Sequence, residues 1–285
     1  MDWLLTNDRS GTSRGRQEWL KRLAAAGLAE APRPLDDLGQ IARLSADDRV
    51  IVAGGDGTVN LVARDCARSG CRLGVLPAGT GNDLARGLDI PLDPDAACET
   101  IVRGVARTLD LAAVNDRHFL NVAHVGFGSE VGRRAETRKR RGWGRLSYPS
   151  AVLDKLQRRR GFKATIRCGG VTHRGRWLEI VVANGVSFGG GQRVFDVAQD
   201  DGAIDVIAIR PKPVWRLIWV WIKAQMLATT PSDDALVRMR GPHCEVDDCA
   251  PRRITADGEQ AGEVPARFTI EHRVLRVIVP ARASD

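Results

Sequence analysis

Two glycine-rich stretches that also carry aspartates are the residues of this 285-residue chain whose types and spacing fit phosphate chemistry. The first is Gly54-Gly55-Asp56-Gly57-Thr58, which follows the apolar run 50–53 and precedes a helical pattern over 59–67. Glycines let the backbone approach a phosphate closely, and the N–H groups at the start of the next helix favour an anion. Thr58 is also a candidate cap for that helix.

A second turn of the same kind, Pro77-Ala78-Gly79-Thr80-Gly81-Asn82-Asp83, follows the apolar run 73–76. In a parallel sheet both turns lie at the carboxyl ends of their strands, so together they can hold a triphosphate. Neither turn is a GxxxxGK[ST] loop with its phosphate-binding lysine. The phosphate charge then requires Mg²⁺, which prefers carboxylates, and Asp56 and Asp83 are its expected ligands. The competing interpretation is that the glycines only make tight turns.

The apolar periodicity around these turns predicts alternating strands and helices in the first part of the chain. Short apolar runs are separated by helical patterns over 16–26, 59–67, 83–87 and 95–103, which is typical of a parallel sheet covered by helices. From about residue 110, strand-like runs follow one another with few helices between them. We therefore expect an α/β domain followed by a β-rich domain.

The charge of the chain favours a polyanionic partner. Lysine and arginine outnumber aspartate and glutamate by 43 to 35, which gives a net charge of +8. A nucleic acid, a nucleotide and an anionic membrane surface all fit this charge. The six cysteines form no CxxC pair and the N-terminus is polar, so we expect a cytoplasmic protein. The longest apolar run, residues 214–226, is interrupted by Arg216 and Lys223, so any membrane contact is expected to be peripheral.

Taken together, these residues resemble the diacylglycerol kinase catalytic-domain superfamily, which also contains sphingosine kinases and soluble bacterial lipid kinases. The resemblance covers nearly the whole chain and rests on segments 7–11, 54–60, 76–83, 110, 121–128, 189–191, 200–202 and 257–259. It implies a three-layer α/β nucleotide-binding domain over residues 1–112 and a β-sandwich lipid-substrate domain over 113–273. A final strand, about 274–285, is expected to return to the first domain, with the active site in the cleft between the two.

The resemblance also implies roles for individual residues. ATP contacts are expected from Asn7, Asp8, Arg9, Ser10, Gly11, Gly54, Gly55, Asp56, Gly57, Thr58, Asn60, Gly79 and Thr80. A water-mediated Mg²⁺ network is expected at Asp56, Asp83 and Asp110. A structural Mg²⁺ is expected at the Asp201 side chain and the backbone carbonyls of Ala198 and Ala203. The chain departs from the family pattern at Asp8, where proline is common, and at Leu61, where glutamate is common.

The resemblance places the general base at Asp257 and Glu259, which complete the catalytic set with Asp56. A lipid hydroxyl is a poor nucleophile, and a positioned carboxylate can accept its proton during phosphoryl transfer. The alternative is that Asp257-Gly258-Glu259 is an ordinary turn between two strands. The same alternative applies to residues 200–202.

Two further segments are candidates for membrane contact. The first is residues 133–145, which are strongly basic: Arg133, Arg134, Arg138, Lys139, Arg140, Arg141 and Arg145. The second has Trp215, Trp219, Ile222 and Met226 at helical spacing. Cations and tryptophans suit an anionic interface, so we expect the two segments to flank the cleft. The alternatives are a solvated helix face for the first and a core stripe for the second.

The sequence thus predicts a lipid kinase that uses Mg²⁺ and ATP to phosphorylate a lipid hydroxyl. Its expected partner is a lipid substrate at an anionic membrane surface, with no nucleic acid, and a homodimer is left open. Diacylglycerol, sphingoid bases, phosphatidylglycerol and isoprenoid-type alcohols all remain open as substrates. The alternatives are a soluble-substrate kinase of the NAD kinase type and a non-catalytic protein that binds anionic lipid or nucleotide.

Overall fold

The computed structural model describes residues 1–7, 15–126, 161–194, 196–248 and 250–281. The predicted ATP contacts at Asp8, Arg9, Ser10 and Gly11 lie outside these ranges, as does the basic segment at 133–145. The described residues form a ten-stranded sheet, a six-stranded sheet and a short two-stranded ribbon. Among the described residues, helices alternate with strands in the N-terminal part. An α/β part followed by a β-rich part is the fold class that the sequence predicts.

The N-terminal part alternates strands and helices around a parallel sheet. Its strands are β1 (Asp2–Thr6), β2 (Arg33–Pro34), β3 (Arg49–Gly54), β4 (Arg72–Pro77) and β5 (Val105–Val114). Its helices are α1 (Arg16–Ala25), α2 (Asp56–Ser69), α3 (Asp83–Gly87) and α4 (Pro94–Arg103), with a 3-10 helix at Leu38–Arg43. Strands β2, β1, β3 and β4 are neighbours in that order and run parallel.

The continuous apolar run of β3 reflects burial on both of its faces. Val50 and Val52 pack into a cluster with the apolar residues of α2, whereas Ile51 and Ala53 pack into a second cluster with α1 and α4. Successive side chains of a strand point to opposite faces, so a strand that is covered on both sides must be apolar at every position. The helices therefore make a three-layer structure around the strands that carry the two glycine turns.

The C-terminal part is built mainly of antiparallel strands. They are β6 (Arg117–Phe119), β7 (Val122–Gly126), β8 (Phe162–Cys168), β9 (Val171–Trp177), β10 (Glu179–Ala183), β11 (Ser187–Phe188), β12 (Gln192–Arg193), β13 (Ile204–Ile209), β14 (Leu236–Gly241), β15 (His243–Asp248), β16 (Arg252–Ala256), β17 (Glu259–Val264) and β18 (Ala266–Val279). Helix α5 (Val214–Leu227) connects β13 to β14. The six-stranded sheet has the order β14-β13-β10-β7-β16-β17.

The core of the β-rich part lies between the two sheets. Alternate residues of β7, β10 and β13 face alternate residues of β8, β15 and β18 across it, including Ile180, Val206, Ile166 and the fully buried Phe268. This period of two is what a sheet with one face on a core requires.

Strand β18 joins the two parts of the fold. Its first residues pair with β15, it pairs along most of its length with β5, and Arg276 and Val277 pair in parallel with Arg72 and Leu73 of β4. The sequence predicts separate strands near 267–270 and 274–279, but the structure has one strand with a register shift between Glu271 and Leu275. The predicted boundary near residue 112 falls inside β5 and stays a prediction.

Within the described ranges, none of the helices combines the length and the hydrophobicity that crossing a bilayer requires.

The position of Phe268 gives a stability prediction. Its side chain is fully buried between the sheets, so Phe268→Ala is expected to lower the free energy of unfolding by about 3–5 kcal/mol, measured by urea denaturation. The control is Val171→Ala on β9, where the side chain is half exposed and a change within about 0.5 kcal/mol is expected. Equal effects of the two substitutions would contradict the assignment of Phe268 to the core.

Candidate active site

The two glycine turns lie side by side at the carboxyl ends of β3 and β4. These strands are parallel neighbours in which Gly54 is opposite Pro77. The backbone N–H of Ala78 donates to the carbonyl of Gly54 at 2.9 Å. Helix α2 starts at Asp56 directly after the first turn, and the short helix α3 starts at Asp83 directly after the second. The predicted pairing of the turns is therefore present in the fold.

Backbone contact between Gly55 and Gly79 brings the two turns together. A Cβ atom added to Gly79 would lie 2.4 Å from the Cα of Gly55, and one added to Gly55 would lie 3.0 Å from the Cα of Gly79. Neither position has room for a side chain. Asn82 closes the second turn, because its amide oxygen accepts from the N–H of Gly79 and its amide nitrogen donates to the carbonyl of Gly79, both at 2.9 Å.

The carboxylates of Asp56 and Asp83 meet beside Gly81. A Cβ atom added to Gly81 would lie 2.9 Å from Oδ2 of Asp56 and 3.3 Å from Oδ2 of Asp83. Oδ1 of Asp56 accepts from the N–H of Leu84 at 3.1 Å. Burial raises the pKa of Asp56 above its ordinary value, and the charge of Asp83 raises it further, although the backbone N–H donors act against this shift.

Asp83 is fixed by a loop from the β-rich part. Its Oδ1 accepts from the hydroxyl of Ser187 at 3.0 Å, from Gly190 N–H at 3.0 Å and from Gly191 N–H at 2.9 Å. Both glycines have positive φ, 87° and 107°, so this loop needs residues without a Cβ atom. Ser187 is a site residue that the sequence analysis missed. Its only local signal is its place just before the glycine run at 189–191.

Asp257 lies in the turn between β16 and β17 and holds the segment before β7. Its carboxylate accepts from the backbone N–H groups of Leu120 at 2.6 Å, Asn121 at 3.0 Å and Val122 at 3.1 Å. Burial raises the pKa of Asp257 to about 6 despite these three donors, and the charge of Asp56 adds to the rise. Asp257 is therefore close enough to Asp56 for their charges to interact.

Glu259 faces the first turn of α2. Its side chain is exposed, and its Oε1 lies 3.7 Å from the position of a Cβ atom added to Gly57. The turn at 257–259 thus brings two carboxyl groups opposite the glycine turn that carries Asp56. The structure has brought together Asp56, Asp83, Asp257 and Glu259 from three separate segments of the chain.

Asp110 belongs to a different set of contacts. Its buried carboxylate accepts from the N–H of Gly202 at 2.7 Å and from the N–H of Arg273 at 2.7 Å, and it is 2.8 Å from Nδ1 of His272. These contacts tie β5 to the register shift of β18 and to the loop at 200–202. The carboxylate of Asp110 makes these contacts, whereas those of Asp56 and Asp83 lie beside Gly81. The role predicted for Asp110 in a Mg²⁺ network therefore stays a prediction.

Asp201 forms an ion pair with the guanidinium of Arg240 and accepts from the N–H of Ala203 at 3.1 Å. The structural Mg²⁺ predicted at Asp201, Ala198 and Ala203 stays a prediction. More generally, no group of three or more His, Cys, Asp or Glu side chains is arranged as a metal site in the part of the chain that the structure describes.

The remaining predicted nucleotide contacts surround the first turn of α2. The amide nitrogen of Asn7 donates to the hydroxyl of Thr58 at 2.9 Å. The prediction that Thr58 caps α2 is wrong: Gly55 occupies the cap position, and Thr58 is already inside the helix. The amide nitrogen of Asn60 donates to the carbonyl of His118 at 3.4 Å, and its buried amide oxygen has no hydrogen-bond partner among the described residues. Thr80 is exposed at the open side of the second turn.

Comparison with known proteins gives two family matches that together span most of the chain. Residues 3–114 match the diacylglycerol kinase catalytic domain, and residues 121–279 match the YegS C-terminal NAD kinase beta sandwich-like domain. The diacylglycerol kinase of Bacillus subtilis (strain 168) is 29% identical over 248 residues, which cover 86% of this chain and 82% of that protein.

A protein of Pseudomonas aeruginosa (strain UCBPP-PA14), named probable lipid kinase YegS-like, is 33% identical over 236 residues, which cover 81% of this chain and 76% of that protein. A crystal structure of a diacylglycerol kinase from Bacillus anthracis str. Sterne is similar in fold, with a TM-score of 0.72 at 19% identity and coverage of 97% and 96% of the two chains. The chain therefore belongs to the bacterial diacylglycerol kinase superfamily, a group of phosphotransferases with an alcohol acceptor.

Proposed function

We propose that this protein is a lipid kinase that transfers the γ-phosphoryl group of ATP, in the presence of Mg²⁺, to the hydroxyl of diacylglycerol or a related lipid. The observation that carries the proposal is the convergence of Asp56 and Asp83 beside Gly81, opposite Asp257 and Glu259. The names of the relatives, diacylglycerol kinase and lipid kinase, support a lipid acceptor. We place the enzyme in the cytoplasm, peripherally bound to an anionic membrane.

The residues of the two turns fit Mg²⁺. Asp56 and Asp83 supply oxygen ligands from two rigid helix starts, which suits a hard cation. Burial and mutual repulsion raise the pKa of Asp56, and a nearby cation would favour its charged form instead. When bound, Mg²⁺ would neutralise charge on the triphosphate.

The first turn of α2 fits the phosphates of ATP. The backbone of Gly57 is uncrowded, since Oε1 of Glu259 is the one atom of the described residues outside the helix backbone that lies within 4 Å of its added Cβ position. The N–H groups of the 14-residue helix α2 present a partial positive charge there. We propose that Gly54, Gly55, Gly57, Gly79 and Thr80 contact the phosphates. Asn7, the predicted segment 8–11, Thr58 and Asn60 would contact the rest of the nucleotide.

Asp257 is the residue that we propose as general base. A carboxylate oxygen has two lone pairs, and the three N–H donors leave one acceptor position of Asp257 open. A pKa near 6 lies close to the working pH, where a base both exists in its deprotonated form and accepts a proton readily. Glu259, exposed beside Gly57, would orient the acceptor hydroxyl.

The proposed function is tested with labelled ATP, Mg²⁺ and fractionated cell lipids, with products separated by chromatography. We expect one class of labelled phospholipid. Phosphorylation of NAD with no lipid product would favour a soluble-substrate kinase, and protection of the protein by ATP without any turnover would favour a non-catalytic binder.

Asp56→Asn is expected to lower kcat/KM in this assay by roughly 100-fold, because it removes a charge from the phosphate-binding centre. The matched control is Asp65→Asn, which changes the same residue type later on the same helix and should leave the rate unchanged. Wild-type activity of the Asp56 variant would contradict the metal-binding role.

The pH dependence of kcat/KM tests the base. Since the base must be deprotonated to accept a proton, activity is expected to rise as the pH increases through about 6, the pKa of Asp257. Glu259→Gln should lower the rate but keep this acid limb at the same pH. An acid limb that disappears in the Glu259 variant would transfer the role of base to that residue.

Gly79→Ala tests the contact between the two turns. The added methyl group would lie 2.4 Å from the backbone of Gly55, so the turns must separate, at a cost of about 1–3 kcal/mol in unfolding free energy. We expect a lower melting temperature and a loss of activity. Gly15→Ala is the control, because none of the residues that the structure describes has an atom within 4 Å of its added Cβ. Full activity in Gly79→Ala would show that the contact is dispensable.

A further inference from the structure

Helix α5 places an unusually apolar surface in contact with solvent. Of its 14 residues, Val220 is the buried one. The side chains of Trp215 and Met226 are 70% and 79% exposed, and the other exposed apolar residues are Ile218, Trp219, Trp221 and Leu227. The interpretation of this helix as a core stripe is therefore wrong. Exposed apolar patches of this extent mark interaction surfaces.

Three of the exposed residues, Trp215, Trp219 and Met226, form one stripe of the helix with the partly exposed Ile222. Trp215, Trp219, Ile222 and Met226 are spaced i, i+4, i+7 and i+11, which places them on a single stripe. Val220 lies on the other side of the helix and points into the protein. The stripe thus faces away from the fold, and the side chain of Val220 packs the opposite side of the helix against the protein.

The segment that carries this stripe is basic, although two of its four cations are paired with an acidic residue. Residues 210–227 contain Arg210, Lys212, Arg216 and Lys223 and no acidic residue. Lys212 and Arg216 pair with Asp234 behind the start of the helix. Lys223 lies beside the stripe, with its Nζ 5.9 Å from the centre of the Trp219 ring. Tryptophan rings next to cations suit the region where lipid headgroups meet acyl chains.

The end of α5 is tied to the loop that holds the candidate active site. The hydroxyl of Thr229 and the N–H of Thr230 donate to Oδ2 of Asp196, at 2.9 and 3.0 Å. Asp196 closely follows the glycine loop whose N–H groups bind Asp83. These contacts link the C-terminal end of α5 to the chain segment that follows the glycine loop.

We propose that α5 lies in the plane of an anionic lipid bilayer, with Trp215, Trp219, Ile222 and Met226 inserted into the interface and Lys223 at the headgroups. This inference rests on the proposed function, because a lipid kinase must reach a hydroxyl that is presented at a membrane surface. One helix carries aromatic, aliphatic and cationic side chains together, and an anionic bilayer fits this combination.

The test is co-sedimentation with large vesicles of phosphatidylcholine containing about one third phosphatidylglycerol, without ATP. Trp215→Ala/Trp219→Ala is expected to lower the partition coefficient roughly tenfold or more, because two large apolar side chains lose their burial. Lys223→Gln should lower it roughly fivefold on anionic vesicles only. Lys163→Gln is the matched control, since Lys163 is an exposed lysine on β8 and should bind as the wild type does.

Each outcome bears on the inference separately from the kinase activity. Loss of vesicle binding in the tryptophan variant supports it even if no lipid is phosphorylated, in which case only the proposed function fails. Wild-type binding by the tryptophan variant, or no binding by the wild type, overturns it. Light scattering tests the alternative that a second copy of this chain covers the surface. If the wild type is a dimer, the tryptophan variant is a monomer and vesicle binding is unchanged, the surface is a contact between two copies and the inference is overturned.

Discussion

Three hydrogen bonds to Oδ1 of Asp83, from Ser187, Gly190 and Gly191, join the glycine turn of the α/β part to a loop of the β-rich part. Asp83 cannot rotate freely while these bonds hold. Asp56 is positioned against it through the backbone contact of Gly55 and Gly79 and through the N–H of Leu84. The spacing of the two carboxylates is therefore set by backbone contacts, and a cation between them would meet ligands that are already in place.

The same arrangement has an electrostatic cost. Four acidic side chains lie around one cleft, and their burial and repulsion raise the pKa values of Asp56 and Asp257. The backbone N–H groups that donate hydrogen bonds to these carboxylates lower the two pKa values and so act in the opposite direction. Clusters of like charge that are only partly compensated are typical of sites that bind an ion or transfer a proton. The elements that carry these carboxylates, α2, α3 and the strands β16 and β17, are anchored by apolar residues in two buried clusters.

Much of the fold and the centre of the site could be predicted from local sequence. Two glycine turns after apolar runs must be neighbours if the strands are parallel neighbours, so the meeting of Asp56 and Asp83 follows from the pattern. Ser187 could not be found in this way, because its contact with Asp83 spans 104 positions. The bonds from residues 120–122 to Asp257 also depend on long-range pairing. The partners of Asp110 depend on the register shift in β18, which no local pattern indicates.

Helix ends and helix faces were harder to predict than helices. Thr58 has the chemistry of a cap, but α2 begins earlier because the glycine turn itself supplies the cap position. The stripe on α5 has the periodicity of a core helix. Periodicity alone does not show whether an apolar face packs against protein or against a lipid membrane.

Strand β18 has a mechanical consequence. It is hydrogen-bonded to β5 and β4 on the side of the glycine turns and to β15 on the side of the β-rich part, so one continuous sheet runs through both parts. Rotation of one part against the other would shear these ladders, and the cleft therefore has no soft hinge along this strand. A change in the width of the cleft would then have to come from the loops that border it, and the spacing of the carboxylates of Asp56 and Asp83 would be unaffected.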